Sequence, residues 1–182
     1  MHWIALQTAP EAHSPEAPLA DAHGALAWWA LQFTPLVARV EDALVLEVSG
    51  SVRLFGGQVA LVRRIVDPER LGLAAPLAHA EGATSLLALG RLWSALPQAP
   101  TDRLPLHALA AARPHLATLA RLGCATWGQL RALPRAALAR RFGAALIDAL
   151  DRAYGLAPEV YPWLTLPQRF DASLELLASV EA

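Results

Sequence analysis

Glu41 and Asp42 stand side by side at the mouth of an apolar strand, in "VEDALVLEVSGSVRLFGG" (40–57). Adjacent carboxylates in such a place are what a nucleotidyl-transferring enzyme uses to hold magnesium. Two-metal phosphoryl transfer needs several carboxylates converging on both ions, so the pair is at most half of a site. Successive strand residues face opposite ways, so the register decides which acid could serve. The bland alternative is that both are hairpin-turn residues, for which short polar side chains are suited. The first apolar run, "HWIALQTAP", offers no acid before Glu11. His2, His13, His23, His79, His107 and His115 show no metal-ligand spacing with one another or with Cys124. There is no glycine-rich phosphate loop and no Ser/His/Asp grouping, so neither a catalytic residue nor a bound metal or cofactor is expected.

A second chemistry is written in arginine. All fifteen basic residues are arginines; there is no lysine. A GC-rich coding sequence accounts for this, as does selection for guanidinium contacts to phosphate. Distribution says more than the total, because the net charge is only −1. Residues 113–152 hold seven arginines against Asp148 and Asp151, whereas the other 142 residues hold eight arginines against fourteen acids. Only this stretch is electrostatically suited to a nucleic acid. Arg113, Arg121, Arg131, Arg135, Arg140 and Arg141, with the backbone at Ala136, are the candidate DNA contacts.

These side chains need elements to carry them. "HWIAL" (2–6) suits a buried strand, and "QTAPEAHSPEAPLADAHG" (7–24) reads as a loop. "ALAWWALQF" (25–33) reads as a helix ending before Pro35. "LVARV" (36–40) and "ALVLEVS" (43–49) form a hairpin around Glu41–Asp42, and "SVRLFGG" turns the chain. "QVALVRRIV" (58–66) has helical spacing, "LAAPLAH" (73–79) is an edge strand, and "GATSLLALGRLWSAL" (82–96) is a helix. The β-α-β-β-α-β-α order predicts an α+β domain, a small mixed or antiparallel sheet covered by helices, over residues 1–100. "PQAPTDRLP" (97–105) reads as a linker. An all-α domain over 101–160 follows, its short helices separated by "LGC", "LP" and "FG". Residues 161–182 read as a linker and the start of another strand. On adjacent helix positions about a hundred degrees apart, Trp28 and Trp29 cannot share one narrow stripe.

The 182 residues are 55% hydrophobic and 17% charged, enough for one ordinary domain or two small ones. One cysteine excludes an internal disulfide. "MHWIALQTAPEAHS" is too short and polar for a signal peptide or a membrane span, so a cytosolic protein is expected.

Within the helical part, "LGCATWGQLRALPRAALARRFG" resembles the helix-hairpin-helix thumb of Y-family DNA polymerases. There a hairpin offers backbone N–H groups at a helix N-terminus to a phosphate. The preceding "LAAARPH" (109–115) departs from the family, which usually has two glycines there, and implies a remodelled first hairpin. In "LEVSGSVRLFGG", residues Leu46 to Ser49 match the family's "L-D-V-T". Asp42 then takes the metal-binding aspartate position, with Ala43 in place of the adjacent glutamate. A one-residue slip puts Glu41–Asp42 there instead, and both registers fit. The family's first-strand acid and its "N-K...A-K" lysine, matched by "ATSLLALG" (83–90), are missing. About sixteen residues fill the place of the fingers subdomain, and the chain ends where the little finger would begin. "WALQFTPLVA", "SVRLFGG", "LATLARLGC", "RRFGAALIDALDRAYG" and "YPWLTLPQRFD" look very like the ImuB group, the catalytically inactive Y-family homologues.

The resemblance implies a truncated palm (1–100) followed by a thumb (101–160), with Asp42 and Glu41 the remnant of a metal site. It implies a non-enzymatic scaffold of SOS translesion mutagenesis with weak, sequence-independent DNA binding. Implied partners are a RecA-like protein, an error-prone C-family polymerase and the sliding clamp. "QVALVR" (58–63) fits a clamp-binding peptide loosely and reads as core. The competing readings are a protein-interaction module or gene fragment and, more remotely, an active polymerase. Loss of the fingers implies a bare sheet surface prone to self-association.

Overall fold

Alternate residues of the first strand belong to different cores. The computed structural model describes residues 1–8, 19–67 and 77–165. In β1 (Trp3–Thr8), Ile4 and Leu6 point into one apolar cluster and Trp3 and Ala5 into another. β3 (Ala43–Glu47) repeats the pattern, with Leu44 and Leu46 on the first side and Ala43 and Val45 on the second. A strand buried on both faces reads as a continuous apolar run, which is why neither shows polar alternation.

The sheet is wholly antiparallel, in the order β2-β3-β1-β4, with β2 at Val37–Val40 and β4 at Leu77–Gly82. With α1 (Leu19–Leu31) and α2 (Gln58–Ile65) it gives the β-α-β-β-α-β pattern of a split βαβ fold. Both helices cover one face, through Leu26 and Ala30 from α1 and Leu61, Val62 and Ile65 from α2. α3 (Ser85–Trp93) covers the other face through Ala88 and Leu89. The bare sheet expected from loss of the fingers is not seen at the centre: β1 and β3 are covered on one face by α1 and α2 and on the other by α3, while Arg39 of β2 and Ala78 and His79 of β4 stay exposed.

α1 begins at Leu19, inside the stretch read as a loop. Its Ala- and Leu-rich start, which favours helix, outweighs the turn signals around it. Trp29 packs edge-on against Phe33, with centroids 5.1 Å apart, and its indole N–H donates to the Ile65 carbonyl at 2.8 Å. Trp28 is 54% exposed. The neighbouring tryptophans thus divide as the helical period requires. β4 lies further along than the 73–79 reading and includes Gly82; residues 73–76 lie outside the described part. β4 is an edge strand, as expected. "QVALVR" is helical, with Leu61 and Val62 in the core and Gln58, Val59 and Arg63 exposed.

The helical part consists of 3₁₀ turns at Thr101–Arg103, Leu106–Ala108 and Ala110–His115, then α4 (Leu116–Arg121), α5 (Trp127–Ala132), α6 (Arg135–Phe142) and α7 (Ala144–Ala153). The breaks fall at the "LGC", "LP" and "FG" punctuation. Residues 109–115 contain no alanine at positive φ; the glycine-free segment forms a 3₁₀ turn instead. Several of the nine residues read as a linker do more than connect. Leu104 is fully buried and its carbonyl accepts from Trp127 N–H at 2.9 Å, while the Pro105 carbonyl accepts from the Trp127 indole at 3.0 Å. Leu104 belongs to the helical core.

α3 joins the two halves. Leu87 lies in the helical core and its neighbours Ala88 and Leu89 in the sheet core. At Gly90 a Cβ would sit 2.6 Å from the Trp127 ring, so only glycine permits this close approach. The little-finger-like strand expected in 166–182 lies outside the described residues. Among the described residues no helix is long and apolar enough to cross a membrane.

Candidate nucleic-acid interface

Glu41 and Asp42 form the two-residue connection of the β2–β3 hairpin, where Val40 pairs with Ala43. Glu41 has φ 55°, a left-handed conformation uncommon outside glycine and set by the tight turn. The two carboxylates point to different partners. Asp42 Oδ2 accepts from the Gln7 side-chain amide at 2.6 Å, and Glu41 Oε2 accepts from Arg113 Nη1 at 2.6 Å. The first strand therefore presents an amide to Asp42. Among the described residues no group of three or more His, Cys, Asp or Glu side chains is placed to hold a metal ion.

The candidate arginines fall into two sets. Arg113 is a structural bridge: it binds Glu41, donates through Nε to the His107 carbonyl at 3.0 Å and lies over the Trp93 ring at 4.9 Å. Arg131 lies 4.2 Å from the centre of the Tyr154 ring. The Tyr154 hydroxyl donates to Asp102, and burial first, then that bond, pushes the phenol well above its usual range. Arg135 forms a bidentate pair with Asp151, both bonds 2.7 Å. The hydrogen bond from Arg135 holds the Asp151 carboxyl below the usual carboxylate range. Arg135, expected to supply long-range attraction, is thus largely neutralised by a partner sixteen residues away.

Arg121, Arg140 and Arg141 are exposed and have no ion-pair partner among the described residues. They lie in the last turns of α4 and α6. His115, at the head of α4, packs on Phe142 at the foot of α6, with ring centroids 5.1 Å apart. α4 is only six residues long, about 9 Å, so the three guanidinium groups belong to one small bundle.

The start of α6 is open. Pro134 supplies no side-chain cap, and the first bonds to its carbonyl come from Ala137 and Leu138 N–H at 3.0 and 3.1 Å. The N–H groups of Arg135 and Ala136 precede that ladder, and Ala136 is exposed. By contrast, α5 is closed by a capping box in which Thr126 and Gln129 satisfy each other's backbone N–H groups. Of the two helix starts, only that of α6 can give backbone donors to an anion. Sequence reasoning did not find Gln7 or Asp151 as partners; both are brought in by tertiary folding, and no local spacing marks them.

No family model matches the chain. Two curated proteins, both called Protein ImuB and from two strains of Caulobacter vibrioides (NA1000 / CB15N and ATCC 19089 / CIP 103742 / CB 15), are each 39% identical to it over 156 residues. The match covers 81% of this chain and 34% of each relative. The chain is an ImuB-type homologue. It spans about a third of the length of the ImuB proteins it matches.

Proposed function

We propose that this chain is a non-catalytic, polymerase-derived scaffold acting in DNA-damage-induced mutagenesis, with weak DNA affinity in its helical half. In this reading the sheet and its helices are a truncated palm, and the helical part is a helix-hairpin-helix thumb. The observation that carries it is the uncapped N-terminus of α6 in the same bundle as three arginines that have no ion-pair partner among the described residues. A phosphate accepts from the Arg135 and Ala136 N–H groups, and Arg121, Arg140 and Arg141 add longer-range attraction. Such contacts carry no base information, so binding ignores sequence. The use of Glu41 and Asp42 in polar contacts to Arg113 and Gln7 supports the non-catalytic assignment. By the same resemblance the scaffold's partners are a RecA-like protein, an error-prone C-family polymerase and the sliding clamp.

Fluorescence anisotropy with a labelled oligonucleotide at low salt tests the DNA reading. The expected affinity is in the non-specific range, roughly 10⁻⁴ to 10⁻⁶ M, falling steeply with salt. Reversal at Arg140→Glu and Arg141→Glu abolishes binding while the circular dichroism spectrum is unchanged. Equal binding by wild type and double variant removes the thumb from the account. Primer extension in magnesium or manganese yields no product; extension that is lost in Asp42→Ala overturns the non-catalytic assignment. The exposed Trp28 favours a second reading, a protein-interaction module without DNA function. Absence of any DNA binding by the wild-type chain selects it.

A further inference from the structure

Residues 155–164 leave the end of α7 and reach the edge of β2, and a single carboxylate fastens them on the way. Glu159 Oε2 accepts the Ser85 backbone N–H at 2.9 Å, and Oε1 accepts the Leu86 N–H at 3.1 Å. The Ser85 hydroxyl donates to the same carboxylate and is shared with the Tyr161 hydroxyl. These are first-turn N–H groups of α3, which have no partner within the helix. A negative charge there is also favoured by the helix dipole. Thr84 closes the rest of that turn, accepting from Leu87 N–H and donating to the Ala153 carbonyl at the end of α7 at 3.0 Å.

Beyond Glu159 the chain is neither helix nor strand as far as residue 165. Val160 is exposed, while Tyr161 and Trp163 close on Trp3 of β1 with centroids 5.9 and 6.2 Å away. Leu164 N–H then donates to the Val37 carbonyl of β2 at 2.8 Å, and its side chain packs into the opposite core of the sheet. β2 is an edge strand; an edge left open is a template for pairing with other chains, and covering it is a common protection.

We propose that Glu159 is a clasp: its carboxylate, seated on the N-terminus of α3, holds residues 155–164 across the sheet as a strap that fixes the helical half and covers the edge of β2. The contacts lie in series along the chain, so release of the carboxylate frees Tyr161, Trp163 and Leu164 together. None of the candidate DNA-contacting arginines lies in the strap, so the clasp stands or falls separately from the DNA reading.

Residue-resolved amide exchange on Glu159→Ala tests the clasp. Exchange at Ser85, Leu86 and Leu164 accelerates about ten- to a hundredfold, as loss of charge-assisted hydrogen bonds predicts. Tryptophan emission shifts to the red as Trp163 leaves Trp3, while Leu130 in α5 and Leu150 in α7 exchange as before. Where Glu159→Ala also accelerates Leu130 and Leu150, Glu159→Gln, which keeps one acceptor oxygen, is read by the same criterion. Faster exchange confined to Ser85 and Leu86, with Leu164 and the emission unchanged, makes Glu159 a helix cap only and overturns the clasp.

Discussion

The Arg135–Asp151 pair sets how much positive charge the helical part can offer. Both oxygens of Asp151 are engaged by one guanidinium, the geometry in which arginine binds carboxylate best. Asp151→Asn removes the negative charge and returns a cation to the start of α6. DNA affinity should rise and its salt dependence steepen, since one more phosphate contact releases one more counterion; an unchanged anisotropy titration counts against the α6 site. The same pair has a pH signature. The carboxyl of Asp151 is depressed by its hydrogen bond to Arg135. Its contribution to stability is therefore present above the unfolded carboxylate value, about 3.9, and is lost as pH falls through the lower folded value. Thermal melts of wild type and Asp151→Asn should accordingly converge only below about pH 4. Little of this was legible in the sequence. The arginine excess was plain, but Asp151 lies on the next helix, sixteen residues from Arg135, and only the α6–α7 packing brings them together.

At the scale of elements, glycine and proline made the helical part readable. Gly123 and Gly143 have φ 73° and 86°, and Pro134 precedes α6, so each helix ends where its sequence cannot continue. Gly143, with ψ 168°, joins α6 to α7 in a region open essentially only to glycine. Nothing lies within 4 Å of a Cβ built there, so the cost of Gly143→Ala is one of backbone conformation. It should destabilise by roughly 1–3 kcal/mol in urea unfolding. Gly24→Ala, inside α1 and equally open, should instead stabilise by roughly 0.5–1 kcal/mol. Equal effects of the two would mean that the α6–α7 link tolerates other conformations. The elements that were misread carry punctuation that does not mark their ends. α1 starts six residues before the reading because turn-forming residues around it masked an Ala-rich helical run. Leu104 and Pro105 were read as linker because prolines flank them, although the buried Leu104 side chain makes that segment core.

At the scale of the whole molecule, the division at residue 100 drawn from composition meets a shared helix. Leu87 of α3 packs in the helical core, Ala88 and Leu89 pack in the sheet core, and Leu86 and Trp93 touch both. The sequence shows α3 only as an apolar helix, since which neighbour each face meets is decided by chain that folds back from sixty residues away. Trp93 also lies under Arg113, whose other bond reaches the β2–β3 turn at Glu41. Opening either half therefore strips partners from the other, and the two should unfold as one cooperative unit. In native-state amide exchange the slowest amides of β1 and α7, such as Ile4 and Leu146, should share one opening free energy and one denaturant slope. Trp93→Ala keeps each half's own core but removes a ring common to both. Its cost should be smaller than the roughly 3–5 kcal/mol of a fully buried aromatic, and the two sets of amides should then separate. Separate openings already present in the wild-type chain would show instead that α3 belongs to one half alone and that the division near residue 100 is a true domain boundary.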